Sequence, residues 1–334
     1  MSKFIEKVDN FASTAPLYNN VIFFGISIKK MYNFNSVFKK IRKIGEGAQG
    51  KVYKYQNLNS GEYVAIKNQD KLSKRAVLSL MNEFYTHQDI SNLTDSVTKV
   101  YDYFIYEDSP KDSPKDTPNE YNFAIVMELI QGYDMKTYVK NLKKCGEKIN
   151  EKTFITIASW LTSTIGILHN NGFVHRDIKL ANILMDPKKK RLVLIDFGLS
   201  NSIKTLNNIN LSNTIGTPYY MSPESTSLVF NVNNGADLSK LLMATDLWAM
   251  GITLYLLVEK RMPWSPNITT KNQLFDELND SNYEIKFNYH NNHITDTISK
   301  ILERNYLQRP KTEEILLAFL KIGEKLHEKN SKEI

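Results

Sequence analysis

The chain has 334 residues, with 43 Lys and Arg against 36 Asp and Glu, for a formal net charge of +7. At about 100–200 residues per domain, this length suggests two packed units or one bilobal one. Hydrophobic residues at 42 % and charged residues at 24 % exclude a wholly disordered chain, a collagen-like fibre and a disulfide scaffold.

The lone cysteine, Cys145, cannot close an internal disulfide. This points to a reducing, intracellular compartment, with the cytoplasm as the expected place. The basic excess reads as a solvated lysine-rich surface, so no nucleic-acid partner is expected. Residues 21–28 are the most apolar run near the N-terminus. They fall far short of the roughly 20 residues a membrane-crossing helix needs, and Lys3, Glu6, Lys7 and Asp9 precede them. A short strand or a docked segment is expected there, and no membrane span.

Residues 41–67 read as strand, glycine turn, strand, turn, strand, with Asn59-Ser60-Gly61 as the second turn. Residues 73–90 follow as a helix, with Ala76, Leu80, Phe84 and His87 at spacings of three and four. Two more strands are expected at 97–106 and 122–129. Between them, residues 108–120 repeat Ser/Thr-Pro-Lys-Asp, with no apolar side chain to bury. This reads as an exposed insertion, either without a role or a target of proline-directed phosphorylation.

From Met135 onward helices dominate. Residues 153–170 carry Phe154, Ile157, Leu161, Ile165 and Leu168 on one stripe. Short strands are expected at 183–185 and 192–195, and helices at 241–258 and 312–326. A β-rich portion followed by an α-rich one is an α+β architecture with a cleft between lobes.

Four fragments carry chemistry. Gly45-Glu46-Gly47-Ala48-Gln49-Gly50-Lys51-Val52 lies between two strands, where glycines let backbone N–H groups approach phosphate oxygens. Alone it is weak evidence. Val64-Ala65-Ile66-Lys67 ends an alternating strand on an amine that needs a partner when buried. Glu83, near the middle of the expected helix, is the candidate. His175-Arg176-Asp177-Ile178-Lys179-Leu180-Ala181-Asn182 and Asp196-Phe197-Gly198 supply a proton acceptor, Asp177, and two oxygen ligands suited to Mg²⁺, Asn182 and Asp196. Chance hardly puts all four in this order and spacing.

Together they make the chain resemble the eukaryotic-type protein kinase family over about residues 38–322. Gly216-Thr217-Pro218-Tyr219-Tyr220-Met221-Ser222-Pro223-Glu224, Asp246-Leu247-Trp248-Ala249-Met250-Gly251 and the late Arg309 extend the resemblance. It implies a bilobal kinase fold, with a small antiparallel β-sheet lobe with one helix at about 38–129 and a larger, mainly helical lobe at about 130–322. Residues 1–37 are then an N-terminal extension and 323–334 a charged tail.

The resemblance also implies roles. Gly45, Gly47 and Gly50 would cover the phosphates of ATP. Lys67 would hold the α- and β-phosphates, oriented by Glu83. Val52, Ala65 and Leu184 would sandwich adenine, with Met127 as gatekeeper and Glu128 and Ile130 offering backbone groups. Asp134 would meet the ribose. Asp177 would be the catalytic base, Lys179 would touch the γ-phosphate, and Asn182 and Asp196 would bind Mg²⁺. Glu224 and Arg309 would form a buried ion pair, and Asp246 would brace the catalytic loop.

Lys179 and Thr217 match the serine/threonine branch, which implies protein substrates with Ser or Thr acceptors. Arg176 before Asp177 implies switching by phosphorylation within residues 199–215, through an upstream kinase or autophosphorylation, with Ser212 and Thr214 preferred. Departures are Leu180-Ala181, Ser222, His87 one turn after Glu83, and a long insertion at 226–239. None removes a catalytic group. A pseudokinase scaffold on the same fold is the alternative.

Overall fold

The computed structural model describes residues 18–23, 26–31, 34–47, 50–106, 121–203, 216–226 and 238–332. The repeat at 108–120, most of the insertion at 226–239 and the preferred phosphorylation sites Ser212 and Thr214 lie outside the described residues. The chain divides into two compact units, the first up to Asn92 plus Thr98–Ile130, the second Leu93–Val97 plus the chain from Gln131 onward.

The first unit is a seven-stranded sheet with helices. Its strands are β1 (Tyr18–Phe23), β2 (Ile26–Met31), β3 (Phe38–Gly47), β4 (Gly50–Asn57), β5 (Tyr63–Leu72), β6 (Val100–Tyr106) and β7 (Tyr121–Glu128). They lie in the order β1-β2-β6-β7-β5-β4-β3. β3 to β7 pair antiparallel; β2 joins β6 in parallel, Lys30 facing Ile105. The described parts of the apolar run, 21–23 and 26–28, thus lie in two antiparallel strands, Val21 opposite Ile28, that widen the sheet.

Period-two alternation puts successive side chains on opposite faces, and both faces of this sheet are covered. Tyr103, Ile105, Phe123 and Ile125 pack with Val77, Leu80, Met81 and Phe84 of helix α2 (Lys74–Leu93). The α2 stripe therefore runs through Val77 rather than Ala76. Ser73 caps the helix, its hydroxyl accepting from the Ala76 N–H at 3.3 Å. On the other face, Phe104, Ala124, Val126, Val64 and Ile66 pack with Phe34, Val37 and Phe38. Helix α1 (Phe34–Val37) supplies Phe34, whose ring stacks on Tyr106 at 4.8 Å and meets Tyr55 edge-on at 5.7 Å. The boundary expected at 37/38 therefore cuts through a packed aromatic cluster.

Strand β6 starts at Val100 rather than 97. Val97 belongs to the second unit, where it bridges Leu194, whose N–H donates to the Ser96 carbonyl at 2.8 Å.

The second unit is mainly helical. α3 (Met135–Cys145), α4 (Glu151–Asn170), α5 (Pro223–Thr226), α6 (Leu238–Glu259), α7 (Lys271–Asn279), α8 (Asn292–Ile301) and α9 (Thr312–Lys332) surround a few short strands. Of these strands, β8 (Tyr133–Asp134), β10 (Ile183–Asp186) and β11 (Arg191–Leu194) form one sheet. β9 (Phe173–Val174) and β12 (Asn201–Ser202) form another. The predicted stripe of α4 is buried, and Phe154 meets Phe319 of α9 edge-on at 5.9 Å. α6 is long and apolar enough to cross a membrane, but it is buried inside this unit and is its core helix. α9 runs unbroken through residue 323, so the charged residues that follow prolong a helix.

Candidate active site

In the first unit the sheet register sets the expected ATP residues side by side. Val52 faces Lys67, Ala65 faces Met127, and Lys67 also faces Ile125. Lys67 is buried, and its Nζ reaches Glu83 Oε1 on α2 at 2.7 Å. A buried ammonium needs such a partner, and the pair fixes where the amine points. Gly45 faces Val52 and Gly47 faces Gly50 across the hairpin. Gly50 has φ +121, and a Cβ there would lie 2.7 Å from the Asn68 carbonyl oxygen, so only glycine fits. Gly47 has open space around it.

Glu128 is buried, and its backbone N–H donates to the Lys99 carbonyl at 2.9 Å. That donor is therefore spent, which narrows the expected adenine contact at Glu128 to its carbonyl. Ile130 follows the strand, half-buried.

In the second unit Asp134 and Leu184 face each other across β8 and β10. The Asp134 carboxylate caps α3, accepting from the Thr137 N–H at 2.7 Å and its hydroxyl at 3.0 Å.

The other expected site residues of this unit gather around Asp177. Its Oδ2 accepts from Lys179 Nζ at 2.6 Å and Asn182 Nδ2 at 3.1 Å, and its Oδ1 accepts from the Thr217 hydroxyl at 2.8 Å. Lys179 Nζ also donates to Thr217 Oγ1 at 2.9 Å, closing a triangle. Asn182 spends both Nδ2 hydrogens on Asp177, the second on its backbone carbonyl at 2.8 Å. This turns the amide oxygen the other way. The Asn182 carbonyl accepts from the Ile195 N–H at 2.9 Å, which brings Asp196 beside this group.

Arg176 and Asp196 have φ +67 and +64, left-handed values that cost L-residues about 1–3 kcal/mol each. Asp246 holds the first of them. Buried in α6, it accepts from the backbone N–H groups of His175 and Arg176, both at 2.8 Å, and from His169 Nε2 at 3.0 Å. Burial pushes the Asp246 carboxyl up, but the hydrogen bond and charge of His169, with His175, outweigh it and hold the group below the usual range. His169 was not legible as a partner, because the two residues meet only through the packing of α4 on α6.

Burial lowers the His175 pKa. Its bonds agree with a neutral ring: Nδ1 accepts from the Asp177 N–H at 3.2 Å, and Nε2 donates to the Ile195 carbonyl at 3.3 Å. Arg309 donates to Glu224 through both terminal nitrogens, at 2.6 and 2.8 Å, and lies over the Trp248 ring at 4.9 Å.

The protein kinase domain family matches residues 38–318. The chain belongs to the protein kinase family. Misshapen-like kinase 1 of Rattus norvegicus is 27 % identical over 286 residues, 84 % of this chain and 20 % of that protein. Dual specificity protein kinase Ttk of Danio rerio is 28 % identical over 280 residues, 82 % of this chain and 26 % of that one. Serine/threonine-protein kinase PLK4 of Xenopus tropicalis is 27 % identical over 276 residues, 81 % and 26 % of the two chains. The chain thus spans about a fifth to a quarter of the length of these relatives.

The departures from the kinase pattern are absorbed locally. The Ser222 hydroxyl is buried against Ser225 Oγ at 3.0 Å. His87 is buried, and its Nε2 donates to the Thr98 carbonyl at 2.9 Å, so this kinase domain carries a bonded histidine where an apolar residue is usual.

Proposed function

We propose that the chain is an active serine/threonine protein kinase, with ATP and Ser- or Thr-bearing proteins as substrates and Mg²⁺ as cofactor. The observation that carries this reading is the Asp177–Lys179–Thr217 triangle. In this reading Asp177 accepts the acceptor hydroxyl's proton, and the Lys179 ammonium beside it neutralises charge on the transferred phosphoryl group. Thr217 bonds to both, and with Lys179 it is the feature that matches the serine/threonine branch.

The donor set suits Mg²⁺. Among the described residues no group of three or more His, Cys, Asp or Glu side chains forms a metal cage. Asn182 and Asp196 are two hard oxygen donors in one locality, which leaves further positions to phosphate oxygens and water, as Mg²⁺ prefers. When bound, the ion neutralises phosphate charge. Lys67, held by Glu83, suits the α- and β-phosphates. Gly45, Gly47 and Gly50 suit the phosphate cover, and Val52, Ala65 and Leu184 suit adenine. The Glu128 carbonyl and Ile130 suit the adenine edge, and Asp134 the ribose. A cytoplasmic setting belongs to this reading through the cysteine usage alone.

Radiolabelled ATP on a degenerate peptide array tests it. Label on Ser and Thr peptides, lost by about 10²–10⁴-fold in Asp177→Asn, is expected. Tight ATP binding with no label transfer from the wild type overturns it in favour of a scaffold.

A further inference from the structure

The segment that carries Thr217 is held from below by a tryptophan outside every motif described above. The turn Pro218–Tyr220 starts at Thr217 and closes on itself: Tyr220 N–H donates to the Thr217 carbonyl at 2.9 Å, and Met221 N–H to the Pro218 carbonyl at 3.1 Å. The next carbonyl along the chain, that of Tyr219, accepts from the indole Nε1–H of Trp264 at 3.1 Å. The Tyr219 side chain itself is exposed. Trp264 is buried and cannot follow a moving turn. Its ring lies 6.5 Å from Trp248 at an interplanar angle of 12°, and 6.2 Å from Tyr283. Tyr283 in turn donates to the Pro263 carbonyl, and Trp248 carries Arg309 on its face.

We infer that Trp264 is a positioning residue for phosphotransfer, acting through the Tyr219 carbonyl and Thr217 on the Asp177–Lys179 pair. This rests on the proposed kinase activity. The coupling is mechanical. Proline fixes φ at residue 218, and two turn bonds stiffen the rest, so a shift at Tyr219 is passed to Thr217 rather than absorbed. On the other side Gly216, at φ +119, would put a Cβ 3.0 Å from the Arg176 carbonyl oxygen, so the chain has no slack there either. Burial alone does not need the N–H, because a bicyclic ring of the same shape without it would fill the same apolar place. The N–H is what reads the backbone, and a buried indole N–H is ordinarily paired. The two turn bonds and Pro218 still hold the segment, so the effect is a reduction and not an abolition.

Trp264→Phe in the full chain is the test, with Thr217→Ala and the double variant completing a cycle. Loss of one aligned hydrogen bond predicts kcat for a peptide acceptor down by up to about tenfold, with KM for ATP unchanged. In the Thr217→Ala background the same substitution should cost little more, because residues acting as one unit are not additive. Hydrogen exchange of the Tyr220 and Met221 amides should quicken in Trp264→Phe whether or not the protein transfers phosphate. Replacing Trp264 with benzothienylalanine, which keeps the bicyclic shape and lacks the N–H, should reproduce the Phe result and so exclude a simple packing defect. Unchanged kcat, or effects that add across the cycle, overturn the coupling. Unchanged exchange at Tyr220 and Met221 overturns the tether itself. A wild type that transfers no phosphate sinks the kinase reading, and the exchange measurement then decides the tether alone.

Discussion

Glu224 and Arg309 stand 85 positions apart in the chain, yet they meet through two parallel bonds with the guanidinium fully buried. The remaining donors of Arg309 are also spent, Nε on the Glu303 carbonyl at 2.7 Å and Nη1 on the Ala244 carbonyl at 2.8 Å. Removing the carboxylate leaves a buried charge without its counter-ion. Glu224→Ala should therefore lower unfolding stability by about 3 kcal/mol. Urea denaturation followed by far-UV circular dichroism reads this. A midpoint within error of the wild type would mean that the carbonyl bonds alone suffice.

Lys67→Met keeps the length and apolar stem of the side chain but leaves the mostly buried Glu83 carboxylate without its ammonium. A modest stability loss of about 1–3 kcal/mol is expected, with the protein still folded. Phosphotransfer should be lost, since the amine is the group assigned to the phosphates. Asp196→Ala should likewise abolish transfer in a folded protein. Turnover near the wild-type rate in either purified variant refutes the site assignment.

Phe34 lies in the aromatic cluster with Tyr55, Phe104 and Tyr106. Phe34→Ala should cost about 3 kcal/mol by opening a cavity in that cluster. A chain beginning at Met31 keeps Phe34 and Val37 and should retain phosphotransfer, whereas one beginning at Phe38 loses both and should be insoluble or unfold at much lower urea. Equal stability of the two truncations would show that the cluster is dispensable.

His175 and Asp246 set an acid sensitivity whose sign is fixed. Burial lowers the His175 pKa below its unfolded value, with Asp246, Asp177 and Asp196 opposing it less strongly. The unfolded chain then binds more protons below about pH 6.5, so stability is full above that pH and falls as pH drops. Asp246, also lowered, adds loss only further down, as pH falls through and below the ordinary carboxylate range. Urea midpoints should therefore fall between pH 7.5 and 5.5, and less steeply in His175→Phe than in the wild type. Parallel slopes in the two proteins would exclude His175 as the source.

Arg176 sits in a left-handed backbone conformation, and among the described residues its guanidinium makes no ion pair with a carboxylate. Burial holds its pKa below the usual arginine value, with Asp246 opposing this. A phosphate of about −1.5 to −2 charge is a fitting counter-ion. Phosphatase treatment should lower activity, and Arg176→Ala should remove the difference between treated and untreated enzyme. Intact-mass spectrometry with paired activity assays checks this. Full activity of phosphate-free protein from the first turnover refutes the switch.

Much of this protein is readable from local pattern. The strand–glycine–strand opening, the periodic helix around Glu83 and the spacing of Lys67, Asp177, Asn182 and Asp196 are short-range features, since side-chain period and turn chemistry act over a few residues. Those features placed the main strands of the first unit and helices such as that around Glu83 to within a few residues, and selected residues that meet within each unit: Lys67 with Glu83, and Asp177 with Lys179 and Asn182. The tertiary structure alone decided what pairs over long separations. It turned Phe34 and Val37 from an extension into core, gave Asp246 its second partner in His169, spent the Glu128 N–H on Lys99, and brought Trp264 against Tyr219. Such contacts depend on which faces of distant elements bury against one another, and no periodicity within a single segment carries that information.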